Sequence, residues 1–105
     1  MEAKYRRMLR AMEAKTDDAP RKWSVYIVRC MDDSLYTGVA KNVSARVDRH
    51  NSGRGAAYTR TRTPVRLLYR EDGLTRSEAL VREARIKSLP REKKEALTPT
   101  YEQSA

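Results

Sequence analysis

Residues 23–40 read Trp23-Ser24-Val25-Tyr26-Ile27-Val28-Arg29-Cys30-Met31-Asp32-Asp33-Ser34-Leu35-Tyr36-Thr37-Gly38-Val39-Ala40, and this stretch decides the fold. The run from Trp23 to Cys30 is β-branched and aromatic, Asp32-Asp33-Ser34 is turn-forming, and a second strand-like run spans Leu35 to Val39, so the pattern predicts a β-hairpin. Val25 and Ile27 alternate with Tyr26 and Val28, which makes both faces of the first strand apolar. Such a strand needs cover on both sides, which predicts helices on the sheet in place of an open, one-sided sheet.

Working outward, Asn42 caps a helix running to about Ser52 and stopped by Gly53 and Gly55. A loop carrying Arg54, Tyr58, Arg60 and Arg62 follows. Pro64 suits the start of an edge strand, Val65 to Arg70 forms the third strand, and Asp72-Gly73 turns the chain. Thr75-Arg76-Ser77-Glu78 is a capping box that launches a helix to about Ser88, and Pro90 opens a further short helix through Leu97. Upstream, Tyr5, Met8, Leu9 and Met12 share one face of an amphipathic helix within the first fifteen residues, and residues 16–20 read as a linker. The expected architecture is α/β of the α+β type: a small three-stranded antiparallel sheet flanked by helices, with an extra N-terminal helix. It divides into an N-terminal helix and linker over 1–20, a folded domain over 21–97 and a flexible tail over 98–105.

A chain of 105 residues that is 39% hydrophobic and 35% charged has room for one modest core. It contains no apolar run of the ~20 residues that cross a membrane and no signal-peptide core, so a cytoplasmic protein is expected. One cysteine, Cys30, and one histidine, His50, leave no material for an internal disulfide or a Cys/His zinc cluster.

The 23 Lys and Arg outnumber 14 Asp and Glu, for a formal charge of +9. Residues 41–70 carry Lys41, Arg46, Arg49, Arg54, Arg60, Arg62, Arg66 and Arg70 against the single acid Asp48. Solubility charge mixes signs; a run that excludes acids and favours the planar arginine fork points to phosphate, hence to a nucleic acid. Without Trp or Phe among the basic residues, a membrane surface is the poorer match.

On the Thr75 to Ser88 helix, Glu83 falls within the stripe of Ala79 and Ile86, with Leu80 and Lys87 beside it. A carboxylate there needs a partner: a structural ion pair with an arginine and a metal-ligating or acid role in a cleft fit the pattern equally well. Arg46 and His50 stand at i and i+4 beside the Val43/Val47 edge of their helix, where they can share a cleft with Tyr26 and Tyr36 of the hairpin. Strand tyrosines are more often core packing, and a lone histidine more often a structural residue.

Ser24-Val25-Tyr26, Tyr36-Thr37-Gly38, Arg46, His50 and Glu83, in this order and spacing, resemble a GIY-YIG nuclease domain. Within that superfamily, His50-Asn51-Ser52-Gly53-Arg54-Gly55, Tyr58-Thr59-Arg60, Pro64-Val65 and the Ser77-Glu78-Ala79 to Glu83 helix are similar to the small stand-alone bacterial proteins of uncharacterised protein family 0213. The resemblance covers residues 22 to about 97 and implies a GIY-YIG-like fold. It implies Glu83 as ligand of one divalent ion, Mg²⁺ or Mn²⁺, Arg46 on the scissile phosphate and Tyr36 activating the attacking water. Tyr26 falls in the same pocket, and His50 at a second polar catalytic position.

The chain departs from the motif at Ser24, Val25 and Thr37, and has Val39 where some members carry a lysine that assists the tyrosine; Lys41 replaces it only if the strand end bends inward. No targeting domain accompanies the motif within these residues, so low intrinsic sequence specificity is expected.

The expectation is therefore a metal-dependent endonuclease, acting as a monomer on DNA in preference to RNA, with branched or damaged structures as the target class and a role in repair. Lys41, Arg49, Arg54, Tyr58, Arg60 and Arg62 are its expected nucleic-acid contacts. A non-catalytic nucleic-acid-binding module and a subunit recruited to a protein partner through the Tyr5/Met8/Leu9/Met12 face are the alternatives.

Overall fold

A computed structural model describes residues 19–97, so the expected N-terminal helix and the tail lie outside the described residues. The hairpin forms as read: β1 (Trp23–Arg29) pairs antiparallel with β2 (Leu35–Ala40), with Tyr26 opposite Gly38 and Val28 opposite Tyr36. β3 (Arg66–Leu74) pairs antiparallel with the other side of β1, giving the order β2-β1-β3. Helices α1 (Val43–Asn51), α2 (Ala57–Arg60), α3 (Arg76–Lys87) and α4 (Arg91–Leu97) complete the described chain.

The two-sided pattern of β1 has its expected consequence. One face buries Tyr26, Val28 and Cys30 with Ala40, Val43 of α1 and Val65, and the half-buried Tyr36, Val47 and Leu67 pack there too. The other buries Val25 and Ile27 against Ile86 of α3, with Leu35, Val39, Tyr69, Leu74 and Leu97 around them. Fully burying a side chain of this size is worth roughly 1.5–3 kcal/mol, so the central strand anchors both layers.

Both principal helices start where their caps predict: Asn42 accepts from the Ala45 amide at 3.0 Å, and Thr75 and Glu78 close a reciprocal capping box at 3.1 and 2.8 Å. α4 buries no residue fully and is tied down by ion pairs, Arg29 to Glu95 at 2.8 Å and Arg91 to Asp33 at 3.2 Å.

Two local expectations need correction. The chain does not turn at Asp72-Gly73; β3 continues to Leu74, which pairs with Trp23. Between Trp23 and Val25 the partner strand advances from Leu74 to Glu71, one residue more than β1, and Gly73 at φ 74° takes the left-handed conformation within that bulge. The stretch read as loop contains the one-turn helix α2, in which the Thr59 hydroxyl donates to the Ala56 carbonyl at 3.0 Å. No helix among the described residues is long and apolar enough to cross a membrane.

Candidate active site

The site grows from the Tyr26–Gly38 pair. Tyr26 on β1 lies directly over Gly38 on β2: a Cβ at Gly38 would stand 2.6 Å from the Tyr26 hydroxyl oxygen and 2.7 Å from Cζ. Only glycine leaves room for the ring, which is the physical content of a tyrosine facing a Tyr-Thr-Gly strand.

The Tyr26 hydroxyl lies 2.8 Å from Nε2 of His50, and Nδ1 of His50 lies 2.7 Å from Oγ1 of Thr59. Because the Thr59 hydroxyl donates its proton to the Ala56 carbonyl, it accepts from His50 Nδ1–H. That fixes the tautomer: Nε2 is the bare nitrogen and Tyr26 donates to it. Tyr26, His50 and Thr59 are all buried, at 1%, 1% and 0% exposure, and no buried side-chain polar atom among the described residues lacks a partner. Burial above all, and the charge of Arg46, hold His50 below its ordinary value of 6.5, so it stays neutral near pH 7. Gly55 closes the far side, since a Cβ there would collide with the His50 ring and stand 2.8 Å from its Cα.

Around this buried pair stand three groups that reach outward. Tyr36 is half-buried, meets the His50 ring edge-on at 5.3 Å between centroids, and its hydroxyl has no hydrogen-bond partner among the described residues. Arg46 is exposed and forms no ion pair among the described residues. Glu83 is 19% exposed, and its ionic partner among the described residues is Lys87 at 3.5 Å. The Tyr26 phenol is pushed up, first by burial, then by Tyr36; Arg46 opposes this and Glu83 adds to it. Tyr26, Tyr36, Arg46, His50 and Glu83 thus come from β1, β2, α1 and α3 to one locality.

The basic residues divide. Tyr58, 40% exposed, stacks on Tyr36 at 6.0 Å and 22°, and the Arg62 guanidinium carbon lies 4.0 Å from the Tyr58 ring centroid. Arg62 is fully committed, donating to Asp32 at 2.9 Å and to the Tyr58 carbonyl at 2.7 Å. Arg49 and Arg60 donate to the carbonyls of Arg54 and Gly55 at 3.1 and 3.4 Å, bracing the loop while remaining exposed; Arg54 is exposed and without an ionic partner among the described residues. Lys41 does not turn towards Tyr36; its ammonium sits 5.5 Å from the Trp23 ring centroid. A pocket of about 290 Å³ lined by Leu35, Tyr36, Thr37, Tyr58, Lys87 and Lys94 opens beside the site.

Two positioning residues escaped the sequence reading. Thr59 orients His50, and Asn51 holds the start of β3, accepting from the Val65 amide at 2.6 Å and donating to its carbonyl at 3.0 Å. Both lie inside the motif stretches that carry the resemblance, but only their partners reveal their roles.

No cluster of three or more His, Cys, Asp or Glu side chains forms among the described residues, so no closed zinc or calcium cage exists there. Glu83 fits a different demand. Its half-buried carboxylate has only a loose lysine neighbour, and Mg²⁺, which keeps most of its waters, accepts a single protein carboxylate.

The GIY-YIG catalytic domain family matches this chain over residues 22–96. UPF0213 proteins of Staphylococcus aureus strains Mu3, Mu50 and N315 are each 60% identical to it over 70 residues, covering 67% of this chain and 85% of theirs. The solution NMR structure of a UPF0213 protein from Bacillus halodurans is similar with a TM-score of 0.51 and 40% identity, over 79% of this chain and 93% of that one.

Proposed function

The chain belongs to the GIY-YIG family, a nuclease family, and from that premise we propose that it is a divalent-metal-dependent endonuclease hydrolysing phosphodiester bonds in DNA. The observation that carries the reading is the convergence on one buried Tyr26–His50 pair of a tyrosine hydroxyl and a guanidinium, both without partners among the described residues, and a lightly paired carboxylate.

In this reading the Tyr36 hydroxyl takes the attacking water by hydrogen bond and directs it at phosphorus. Arg46 presents its planar fork to a nonbridging oxygen, where negative charge grows in the transition state. Tyr26 and His50 are buried, so they act as positioning residues: Tyr26 donates to His50 and has in the neutral imidazole an acceptor for its own proton. Glu83 is the residue that would hold one Mg²⁺ or Mn²⁺, a group that supplies Lewis-acid stabilisation of phosphoryl and leaving-group oxygens when bound. DNA is the substrate class this reading carries, and RNA is the comparison arm of its test.

The test is incubation of the purified protein with labelled single-stranded, duplex and branched DNA, and RNA, in Mg²⁺, in Mn²⁺ and in chelator. Metal-dependent cutting of DNA is expected. Binding without cutting in both metals overturns the enzymatic reading in favour of the binding module.

A further inference from the structure

A second cationic site lies outside the cleft. Pro20, Lys22, Trp23, Lys41, Thr75 and Arg76 are among the residues lining a pocket of about 250 Å³ where β1 begins, β2 ends and α3 begins. The Lys41 ammonium and the Arg76 guanidinium carbon stand 5.5 and 5.8 Å from the Trp23 ring centroid. Neither of these, nor Lys22, has a carboxylate partner among the described residues. The neighbouring acid is already engaged: Glu78 accepts from Arg21 at 2.6 Å and from the Thr75 amide at 2.8 Å. The N-terminus of the twelve-residue α3 opens on the same pocket and adds its positive end. Three cations thus line one pocket, two of them near an aromatic ring whose attraction for each is only ~0.5–1 kcal/mol at an exposed site. An anion is the missing partner.

The same two elements link this pocket to the cleft. Lys41 and Arg76 line one end of the β2–α3 seam; Tyr36 and Lys87 line the pocket at the other, and Glu83 lies between along α3. From Tyr36 to Lys41 is roughly 17 Å at the rise of a strand, and from Arg76 to Lys87 roughly 16 Å at the rise of a helix. The two ends are therefore about 17 Å apart, a span of several nucleotides of a bound strand. A free small anion has no need of two sites in this register, whereas a nucleic-acid strand presents phosphate at both.

We propose that the Trp23 pocket is a second nucleic-acid contact, in which Lys22, Lys41 and Arg76 hold a backbone phosphate several nucleotides from the bond in the cleft. This rests on the nuclease reading and gives it a footprint: the bound strand runs along the β2–α3 seam, and substrates too short to reach the pocket bind more weakly.

Trp23 is the only tryptophan in the chain, so its emission reports this pocket alone. The full-length protein is titrated in chelator with a sixteen-base-pair DNA duplex, following tryptophan emission and fluorescence polarisation of the labelled duplex together, over a range of salt. Binding should change the emission with the same midpoint as the polarisation. The Lys41→Ala/Arg76→Ala double variant should flatten log K against log salt by roughly 0.9 for each phosphate no longer neutralised. Both side chains are exposed, and circular dichroism checks that the fold is kept. In Glu83→Gln the emission change should persist, separating the pocket from the cleft. Polarisation that reports binding while emission stays still and the double variant keeps the wild-type slope overturns the pocket and leaves the nuclease reading standing. Absence of binding by wild type overturns both.

Discussion

The Tyr26 hydroxyl donates to Nε2 of His50 at 2.8 Å, with each residue only 1% exposed. Two consequences follow from burial: the bond cannot be exchanged for water without cost, and breaking it leaves an orphaned acceptor in the core.

Tyr26→Phe and Tyr36→Phe therefore separate the two phenols. Tyr36→Phe should lower the single-turnover cleavage rate by about 10²–10⁴ with the melting temperature nearly unchanged, because its hydroxyl has no partner among the described residues. Tyr26→Phe should lower both, since the bare Nε2 then costs roughly 1–3 kcal/mol, or several degrees in a domain of this size. Calorimetry beside quenched-flow cleavage checks the pair; equal melting temperatures would show that the Tyr26 bond adds no stability.

The pH dependence of stability follows from His50. Its folded-state value lies below 6.5, so the folded protein keeps it neutral where the unfolded chain already binds a proton. The unfolded state thus holds more protons below about pH 6.5, and stability, complete above that pH, is lost as pH falls from there towards the folded value. Thermal melts from about pH 7 downwards should show this decline. His50→Gln should be less stable at neutral pH, because it disrupts two buried hydrogen bonds, yet flatter across the same window.

Glu83→Gln keeps the shape of the side chain but removes the charge that attracts a cation. Cleavage should vanish in Mg²⁺ and in Mn²⁺ while circular dichroism and duplex affinity stay close to wild type. The Lys87 pair that the substitution breaks is a loose i,i+4 contact at 3.5 Å, so little stability should go with it. Unfolding of the variant would assign Glu83 to structure.

Arg46 is expected to act on rate. Arg46→Ala should reduce the chemical step by about 10²–10³ while affinity changes several-fold at most, and Arg46→Lys should recover little because an ammonium lacks the two-pronged fork. Single-turnover cleavage and equilibrium binding on the same variants decide; equal losses in both would make Arg46 one more backbone contact.

Arg54 and Arg62 should part company. Arg54, exposed and unpaired among the described residues, should flatten log K against log salt by roughly 0.9 when replaced by alanine. Arg62 is already neutralised by Asp32 and stacked on Tyr58, so Arg62→Ala should leave the slope unchanged and loosen the Tyr58–Tyr36 stack. Binding isotherms at several salt concentrations distinguish them.

What the sequence by itself determined is local in its physics. Alternation along Trp23–Arg29, the Asn42 cap and the Thr75/Glu78 capping box act over a few residues, so the hairpin, α1 and α3 were legible without a fold. The order and spacing of Tyr26, Tyr36, Arg46, His50 and Glu83 likewise identified a family and the side chains that meet. Only the tertiary structure decided how they meet. Whether Tyr26 donates to His50 or accepts from it depends on Thr59, nine residues on from His50, whose own proton goes to Ala56. Whether a basic residue is free depends on a carboxylate elsewhere in the chain: Arg62 is taken by Asp32 thirty residues before it, whereas Lys41 and Arg76 meet only at Trp23. The continuation of β3 through Gly73 was hidden for the same reason, because Asp-Gly is a turn signal until a partner strand supplies the pairing that absorbs the extra residue. Caps and alternation are written in neighbouring residues; hydrogen-bond direction, ion pairing and bulge register are set by what the fold brings alongside.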